Sequence, residues 1–200
     1  MQISDPSSPP GVAWLRLGFR PFFLAAGASG VLAMLAWFLA YSLGMSFSFA
    51  GLAPMTWHAH EMIYGYSLAV AAGFLLTAVG NWTGRPTLQG TPLLLLFLCW
   101  LVPRLLLVAG NDALLPVAAG FDLLFLSLFT LVITIPIVRA KQWHNLAIVI
   151  KLALLAASNL AFYLGVSGYL QQGVSWGLYS GLYLVMALIF MLSRRVLPFF

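Results

Sequence analysis

The sequence predicts an all-α, polytopic membrane bundle of about six transmembrane helices. Of its 200 residues, 62% are hydrophobic and 6% are charged, and the mean hydropathy is +1.01. Apolar runs long enough to cross a hydrocarbon core recur through the whole chain. The basic residues outside the apolar runs lie in alternate connections only, as described below. Together these observations place the chain among helical membrane proteins and exclude a soluble globular domain.

Glycine and proline divide the apolar sequence into six candidate spans. Each is long enough to cross a hydrocarbon core of ~30 Å at ~1.5 Å per residue, with some tilt in the longer ones. The polar, Pro- and Ser-rich start of the chain lacks the basic-then-apolar order of a signal peptide. We therefore expect a cytoplasmic segment at 1–18 and a transmembrane domain at 19–200. The spans are 22–43, 61–79, 92–109, 114–138, 145–165 and 174–192.

The basic residues predict the orientation of these spans. Six spans place alternate loops on opposite sides, and both termini then lie on the same side. The loop set that includes the termini carries seven Lys and Arg residues, whereas the other set carries none. The positive-inside rule therefore predicts that both termini are cytoplasmic. The seven residues are Arg16, Arg20, Arg85, Arg139, Lys141, Arg194 and Arg195.

Several functional classes find no support in the sequence. The basic residues are scattered between apolar segments and form no basic face, which argues against nucleic acid as a partner. Cys99 is the only cysteine, so the sequence has neither a disulfide framework nor a Cys-x-x-Cys-His haem attachment site. We recognise no P-loop, no nucleophile with a base and no pair of catalytic carboxylates, so enzymatic activity is left open.

The first candidate site is the segment Trp-His-Ala-His-Glu-Met at 57–62, at the outer mouth of the second span. His58, His60 and Glu61 are candidate metal ligands, and Met62 adds a thioether suited to copper(I) or haem. His58 and His60 point about 200° apart on a regular helix, so they converge on one metal only if the chain bends at the helix cap. Otherwise they divide between two partners, or the cluster simply anchors the helix at the interface. The spacing does not select a metal.

Arg104 and Asp122 form the second candidate site, because both are charged residues inside apolar spans. Helical rise places them ~8 Å and ~12 Å from the outer ends of their spans, so we expect an ion pair. Arg104 could instead bind an anionic group such as a haem propionate, which its planar fork suits. Ser158 and Asn159, in the outer half of the fifth span, either join this cluster or bond a neighbouring helix.

A short internal echo links the two ends of the chain. Arg-Pro-Phe-Phe at 20–23 opens the first span, and Arg-Val-Leu-Pro-Phe-Phe at 195–200 follows the sixth. Unless this brief match is a coincidence, it marks the start of a second six-span unit in parallel orientation. The chain is therefore expected to be the first half of a longer protein.

Three separated motifs, in order along the chain, resemble the NnrS family. They are Phe-Arg-Pro-Phe-Phe at 19–23, the 57–62 segment, and the stretch 72–86, which contains Asn81 and Arg85. The resemblance is densest over 18–104 and extends more weakly to 195–200. It implies a multi-pass protein of the bacterial inner membrane that contains haem and copper. It also implies a role in nitric oxide and nitrosative stress during denitrification.

The resemblance supports His58 and His60 as ligands for copper or non-covalent haem, and it gives no role to Asn81 or Arg85. Family members are longer, so the chain is expected to match their N-terminal half. The partners expected on this basis are membrane lipid and either the missing half or a second copy of the chain.

Two further functions stay open from the residues alone. The first is half of a membrane transporter or permease, with Glu61, Arg104 and Asp122 forming a polar path. The second is a cofactor-free assembly partner of an oxidase or reductase. Both predict a purified protein without haem or copper, so a measurement of cofactor content distinguishes them from the haem and copper hypothesis.

Overall fold

The computed structural model describes residues 13–196, with side chains up to residue 194. Most of the predicted N-terminal segment and the 195–200 half of the internal echo therefore lie outside the residues described in full. Short 3₁₀ turns at Ala13–Leu15, Asp112–Leu114 and Trp143–Asn145 precede three of the long helices. The main elements are α1 (Phe19–Ser42), α2 (Pro54–His60), a π-helix (Glu61–Ser67), α3 (Leu68–Thr83), α4 (Thr91–Val108), α5 (Leu115–Arg139), α6 (Leu146–Val166) and α7 (Gly173–Val196).

Six helical segments within this range are long and apolar enough to cross a membrane, which confirms the predicted all-α polytopic class. The second of them runs continuously over Pro54–Thr83, so the predicted start at residue 61 is wrong. Pro54 lies in the first turn of α2, where its missing N–H leaves no helical hydrogen bond unmade. The helix continues through this polar segment because His60 and Glu61 contact Asn159 and Arg104 of other helices, and the His58 ring stacks on Trp37.

The second span lies at the centre of the bundle and α1 lies at its edge. In the apolar window of Pro54–Thr83, 61% of the residues are buried, compared with 17% for α1. Sequential helices pack side by side, α4 against α5, α5 against α6 and α6 against α7, while α1 packs against α3. Most of the α1 surface is therefore exposed, and one side of the helix borders the groove described below.

The loops of the bundle meet at two ends of different charge. At the basic end, the Arg85 side chain donates to the Arg139 carbonyl at 3.3 Å, and Gly90 N–H donates to the Leu15 carbonyl at 2.9 Å. The other end is called the neutral end here, because its loops carry no Lys or Arg. There the Ser48 hydroxyl donates to the Gly110 carbonyl at 2.9 Å. Connections of the Lys- and Arg-bearing set thus contact one another, as do connections of the set without basic residues.

Glycines allow α6 and α7 to approach closely. Gly173, Gly177 and Gly181 recur every fourth residue and so lie on one face of α7. A Cβ atom at Gly177 would lie 2.7 Å from the backbone nitrogen of Phe162 in α6. Small residues at such a spacing are the usual means of close helix packing in membranes. This contact fixes the position of Phe162, which borders the site described next.

Candidate functional site

A network of buried polar side chains joins four spans near the neutral end. His60 and Glu61 come from the second span, Arg104 from α4, Asp122 from α5 and Asn159 from α6, and none is more than 6% exposed. By helical rise, they lie about 6–11 Å from the neutral ends of their helices. The cluster is therefore within the membrane-spanning part of the bundle, where unpaired polar groups are costly.

Arg104 and Asp122 form the ion pair that the sequence predicts. Arg104 Nη2 donates to both carboxylate oxygens of Asp122, at 2.7 and 2.8 Å. The Tyr163 hydroxyl of α6 donates to the same carboxylate at 2.8 Å. Asp122 is thus held by a charged donor and a neutral donor, which confirms the pairing interpretation of Arg104.

Glu61 places a second carboxylate against the same guanidinium. Arg104 Nε lies 3.0 Å from Glu61 Oε2, so one cation contacts two acidic side chains. Nε and Nη2 of Arg104 thus face carboxylates of the protein, and Nη1 lies beside the Tyr64 carbonyl.

His60 bridges the two carboxylates and is fully buried. Its Nδ1 lies 3.3 Å from Glu61 Oε1, and its Nε2 lies 3.0 Å from Asn159 Oδ1 and 3.5 Å from Asp122 Oδ2. The imidazole stacks on Phe162, with ring centroids 4.4 Å apart. Both ring nitrogens therefore have partners within the protein, and Asn159 joins the polar cluster, as one of its two sequence interpretations proposed.

The π-helix turns backbone carbonyls toward this network. The Gly65 carbonyl accepts the Trp100 indole N–H at 3.0 Å, and the Tyr64 carbonyl lies 3.4 Å from Arg104 Nη1. A wide π turn releases carbonyls from the α-helical hydrogen-bond pattern, and such turns often occur at functional sites. Gly65 also leaves room for the Glu61–Arg104 contact, because a Cβ atom there would lie 2.8 Å from Glu61 Oε2.

His58 lies on a different side of the helix from His60. Both residues belong to the regular helix α2, so the bend that would bring them together does not occur. The half-buried His58 ring stacks on Trp37 of α1, with centroids 5.1 Å apart. Met62, four residues later on the same side of the second span, also faces α1, where Met34 and Met62 line a shallow groove of about 570 Å³. This line of contact between α1 and the second span is called the methionine seam.

The structure thus splits the candidate residues of the 57–62 segment into two groups. His60 and Glu61 enter the Arg104 network, and His58 and Met62 face α1. Across the described residues, no group of three or more His, Cys, Asp or Glu side chains is arranged to hold a metal. Ser158, predicted as a possible member of the cluster, instead shares a hydrogen bond of 2.7 Å with Ser180 of α7.

Two contributors were not identified from the sequence. Tyr163 lies four residues after Asn159 and therefore on the same face of α6, so helical spacing could have found it. Trp37 carried no comparable signal, because its contact with His58 depends on how α1 packs against α2.

One comparison with known proteins identifies the family of this chain. A family model described as NnrS protein matches residues 13–200, which include every helix that the structure describes and every member of the buried network. No curated protein and no solved structure matches the chain. The match confirms the family suggested by the three sequence motifs. The chain belongs to the NnrS protein family.

Proposed function

We propose that this chain is a haem- or copper-binding protein of the bacterial inner membrane that acts in the response to nitric oxide and nitrosative stress. Membership of the NnrS family and the six apolar helices support the membrane part of this proposal. The metal-binding part rests on the surroundings of His58.

The observation that carries the proposal is the set of donor side chains along the methionine seam, where α1 packs against α2 and the π-helix. His58 Nδ1 is buried without a hydrogen bond of regular geometry, and the backbone of Ala33 in α1 is the polar group beside the imidazole. Met62 shares its helix face, and Met34 lines the same groove as Met62. One imidazole and two thioethers are soft or borderline donors that suit copper(I) or haem iron. His58 and Met62 are therefore the residues we expect to hold the prosthetic group.

The remaining sequence candidates suit a supporting role better. His60 has partners at both ring nitrogens, and Glu61 and Arg104 pair with each other. Ligation by His60 would break its contact with Asn159 or Glu61 inside the bundle. We infer that the network holds the start of the second span in place, so that His58 and Met62 keep their orientation toward α1.

When bound, haem iron or copper supplies a redox-active metal that can take a small gas such as nitric oxide as an additional ligand. The protein contributes the donor side chains, an apolar surrounding and access from the membrane. Nitric oxide is small and uncharged, so it can reach the metal through the apolar groove between α1 and the π-helix.

Cofactor content of single-histidine variants tests this assignment. Protein purified in detergent is examined for a Soret band and for copper by mass spectrometry. We expect His58→Ala to lose most of the haem or copper, and Met62→Leu to shift the spectrum of what remains. His144→Ala is the matched control, because His144 is an exposed histidine at the basic end.

Cofactor content that is the same in His58→Ala and in wild type would overturn the assignment. Loss in His60→Ala with retention in His58→Ala would move the ligand into the buried network. Thermal unfolding of each variant shows whether a loss reflects ligation or misfolding.

A second candidate function is supported by the buried network itself. Four ionisable groups within the membrane-spanning region, His60, Glu61, Arg104 and Asp122, are typical of ion or substrate pathways. We therefore keep a transporter or permease as the alternative. A purified protein without metal that moves a small ion or an anion into liposomes would favour it over the metal-binding proposal.

A further inference from the structure

A pocket with a basic wall lies between α7 and the 3₁₀ turn that precedes α6, at the basic end of the bundle. Its volume is about 490 Å³, and its lining residues are His144, Phe190, Met191 and Arg194. Arg194 is two residues before the end of α7, so the pocket lies near the membrane interface, at the level of the lipid head groups. It therefore combines charged, polar and apolar side chains where phospholipids do the same.

Lys151 of α6 lies next to this pocket. Its Nζ atom is 3.6 Å from Sδ of Met191, which lines the pocket, and 3.4 Å from the Ala147 carbonyl. Ala147 is one turn nearer the basic end, so the lysine side chain extends toward that end of the bundle. Met191 and Arg194 are three residues apart and share a face of α7. Lys151 and Arg194 thus bring two positive charges to the same part of the α6–α7 surface.

These two cations have no acidic partner in the described part of the chain. The acidic residues that the structure describes are Glu61 and Asp122, which contact Arg104, and Asp112, which lies at the neutral end. Lys151 is ~8 Å inside the start of α6, yet its contacts are an uncharged carbonyl and an uncharged thioether. A charged side chain at such a position is expected to pair with an opposite charge. An anion from the surroundings would supply that charge.

An apolar surface of α7 continues from the pocket toward the middle of the membrane. Phe190, which lines the pocket, is 66% exposed, and Met186 and Tyr183 are 42% and 66% exposed. Positions 183, 186 and 190 are three and four residues apart, so they lie on one face of the helix. In a membrane, an exposed apolar helix face contacts lipid chains. A molecule with an anionic head and an apolar chain therefore matches both the pocket and the surface beside it.

We propose that this pocket binds the phosphate group of an anionic phospholipid, with Arg194 and Lys151 as the positive contacts and an acyl chain along Phe190 and Met186. Basic pockets between transmembrane helices on the cytoplasmic side are typical sites for anionic head groups. A zwitterionic phospholipid carries its own ammonium close to the phosphate, and the two cations of the protein would repel it. A free anion gains the charge contacts but makes no use of the apolar face of α7.

Native mass spectrometry tests the proposal on the purified chain in a non-ionic detergent, titrated with phosphatidylglycerol or with phosphatidylcholine of the same acyl chains. We expect the wild type to bind phosphatidylglycerol about fivefold more tightly or better. Arg194→Gln and Lys151→Gln should each weaken that binding about fivefold, which is about 1 kcal/mol, because each removes one positive charge beside the head group. Neither should change the binding of phosphatidylcholine.

The controls are matched in charge. Lys151→Arg keeps the positive charge and should bind phosphatidylglycerol as the wild type does. Arg139→Gln removes one charge at an exposed position at the end of α5, also at the basic end but outside the pocket, and should leave the binding unchanged. If Lys151→Gln does not fold, Arg194→Gln still tests the site, since Arg194 is exposed.

Three results would overturn the proposal. The first is equal affinity of the wild type for the two lipids. The second is a loss in Arg139→Gln as large as that in Arg194→Gln, since the lipid would then respond to the charge of the whole basic end. The third is displacement of phosphatidylglycerol by inorganic phosphate beyond that caused by chloride at the same ionic strength, which would assign the pocket to a free anion. Because His58 and Met62 lie toward the other end of the bundle, none of these results bears on the metal assignment.

Discussion

Arg104 shows how single residues make this bundle possible. A guanidinium in hydrocarbon is costly, and here two carboxylates from two other helices surround it. His60, Asn159 and Tyr163 then occupy the remaining polar atoms of the carboxylates or lie beside them. Each charge depends on the others, because removal of one partner leaves a buried charge without compensation.

Asp122→Asn tests this dependence. The substitution keeps the size of the side chain but removes the charge that Arg104 contacts at 2.7 Å. We expect a loss of about 3 kcal/mol in the free energy of unfolding, at the low end for broken buried pairs because Glu61 still contacts Arg104. Denaturant unfolding in detergent micelles measures it.

Asp112→Asn is the control, because Asp112 is exposed in the 3₁₀ turn before α5. It should change the unfolding free energy by less than about 0.5 kcal/mol. Equal unfolding curves for the two variants would show that the Arg104–Asp122 contact contributes no stability.

At the scale of elements, the π-helix between α2 and α3 is the unusual feature. Seven residues of wider winding interrupt a continuous span, and the Ser67 hydroxyl donates to the Met62 carbonyl at 2.7 Å within it. The wide turn directs carbonyls toward Trp100 and Arg104 and leaves Gly65 beside the Glu61 carboxylate. It thus connects the helix face that carries His58 and Met62 with the buried network around Arg104.

Gly65→Ala tests whether the π-helix needs the glycine. The added Cβ atom would lie 2.8 Å from Glu61 Oε2 and 3.4 Å from Arg104 Cδ, so the pair must shift or separate. We expect about 1–3 kcal/mol of destabilisation, as for overpacking of a dense core. Thermal unfolding followed by circular dichroism measures it.

Gly120→Ala supplies the opposite expectation. No atom lies within 4 Å of a Cβ atom built at Gly120 in α5, and alanine has the better helix propensity. This variant should be as stable as the wild type or up to about 1 kcal/mol more stable. If Gly65→Ala and Gly120→Ala unfold at the same temperature, the glycine requirement of the π-helix is contradicted.

For the whole molecule, the charge of the loops and the contacts between them divide the loops into the same two groups, one at each end of the bundle. The basic loops contact one another at one end, and the loops without Lys or Arg do so at the other. The positive-inside rule predicts that the basic end faces the cytoplasm. On that orientation, both the methionine seam and the Arg104 network lie toward the outer face of the membrane.

Cysteine labelling tests the orientation. In a Cys99→Ala background, we expect Ser46→Cys and Gln171→Cys to react with a membrane-impermeant maleimide in intact cells. Gln89→Cys, at the basic end, should react only after permeabilisation. All three positions are exposed, so access to reagent decides the result, and the reverse pattern would contradict the predicted topology.

The sequence by itself determined the number of apolar spans and the division of the loops into two sets by charge, and it offered the Arg104–Asp122 ion pair as one of two interpretations of Arg104. These follow from quantities that a chain carries locally: apolar length, loop charge, and the depth of a charged residue along its helix. The segment 57–62 was also recognisable as exceptional, because metal-ligating side chains are so rare in this chain.

Only the tertiary structure decided which way each side chain of that segment faces. His60 meets Asn159 from another helix, His58 meets Trp37, and Trp57 is left with an unpaired donor. In a membrane, the helix faces toward lipid and toward neighbouring helices are both apolar, so hydropathy does not tell them apart. The rotation of each helix is set by long-range packing, which no local pattern records.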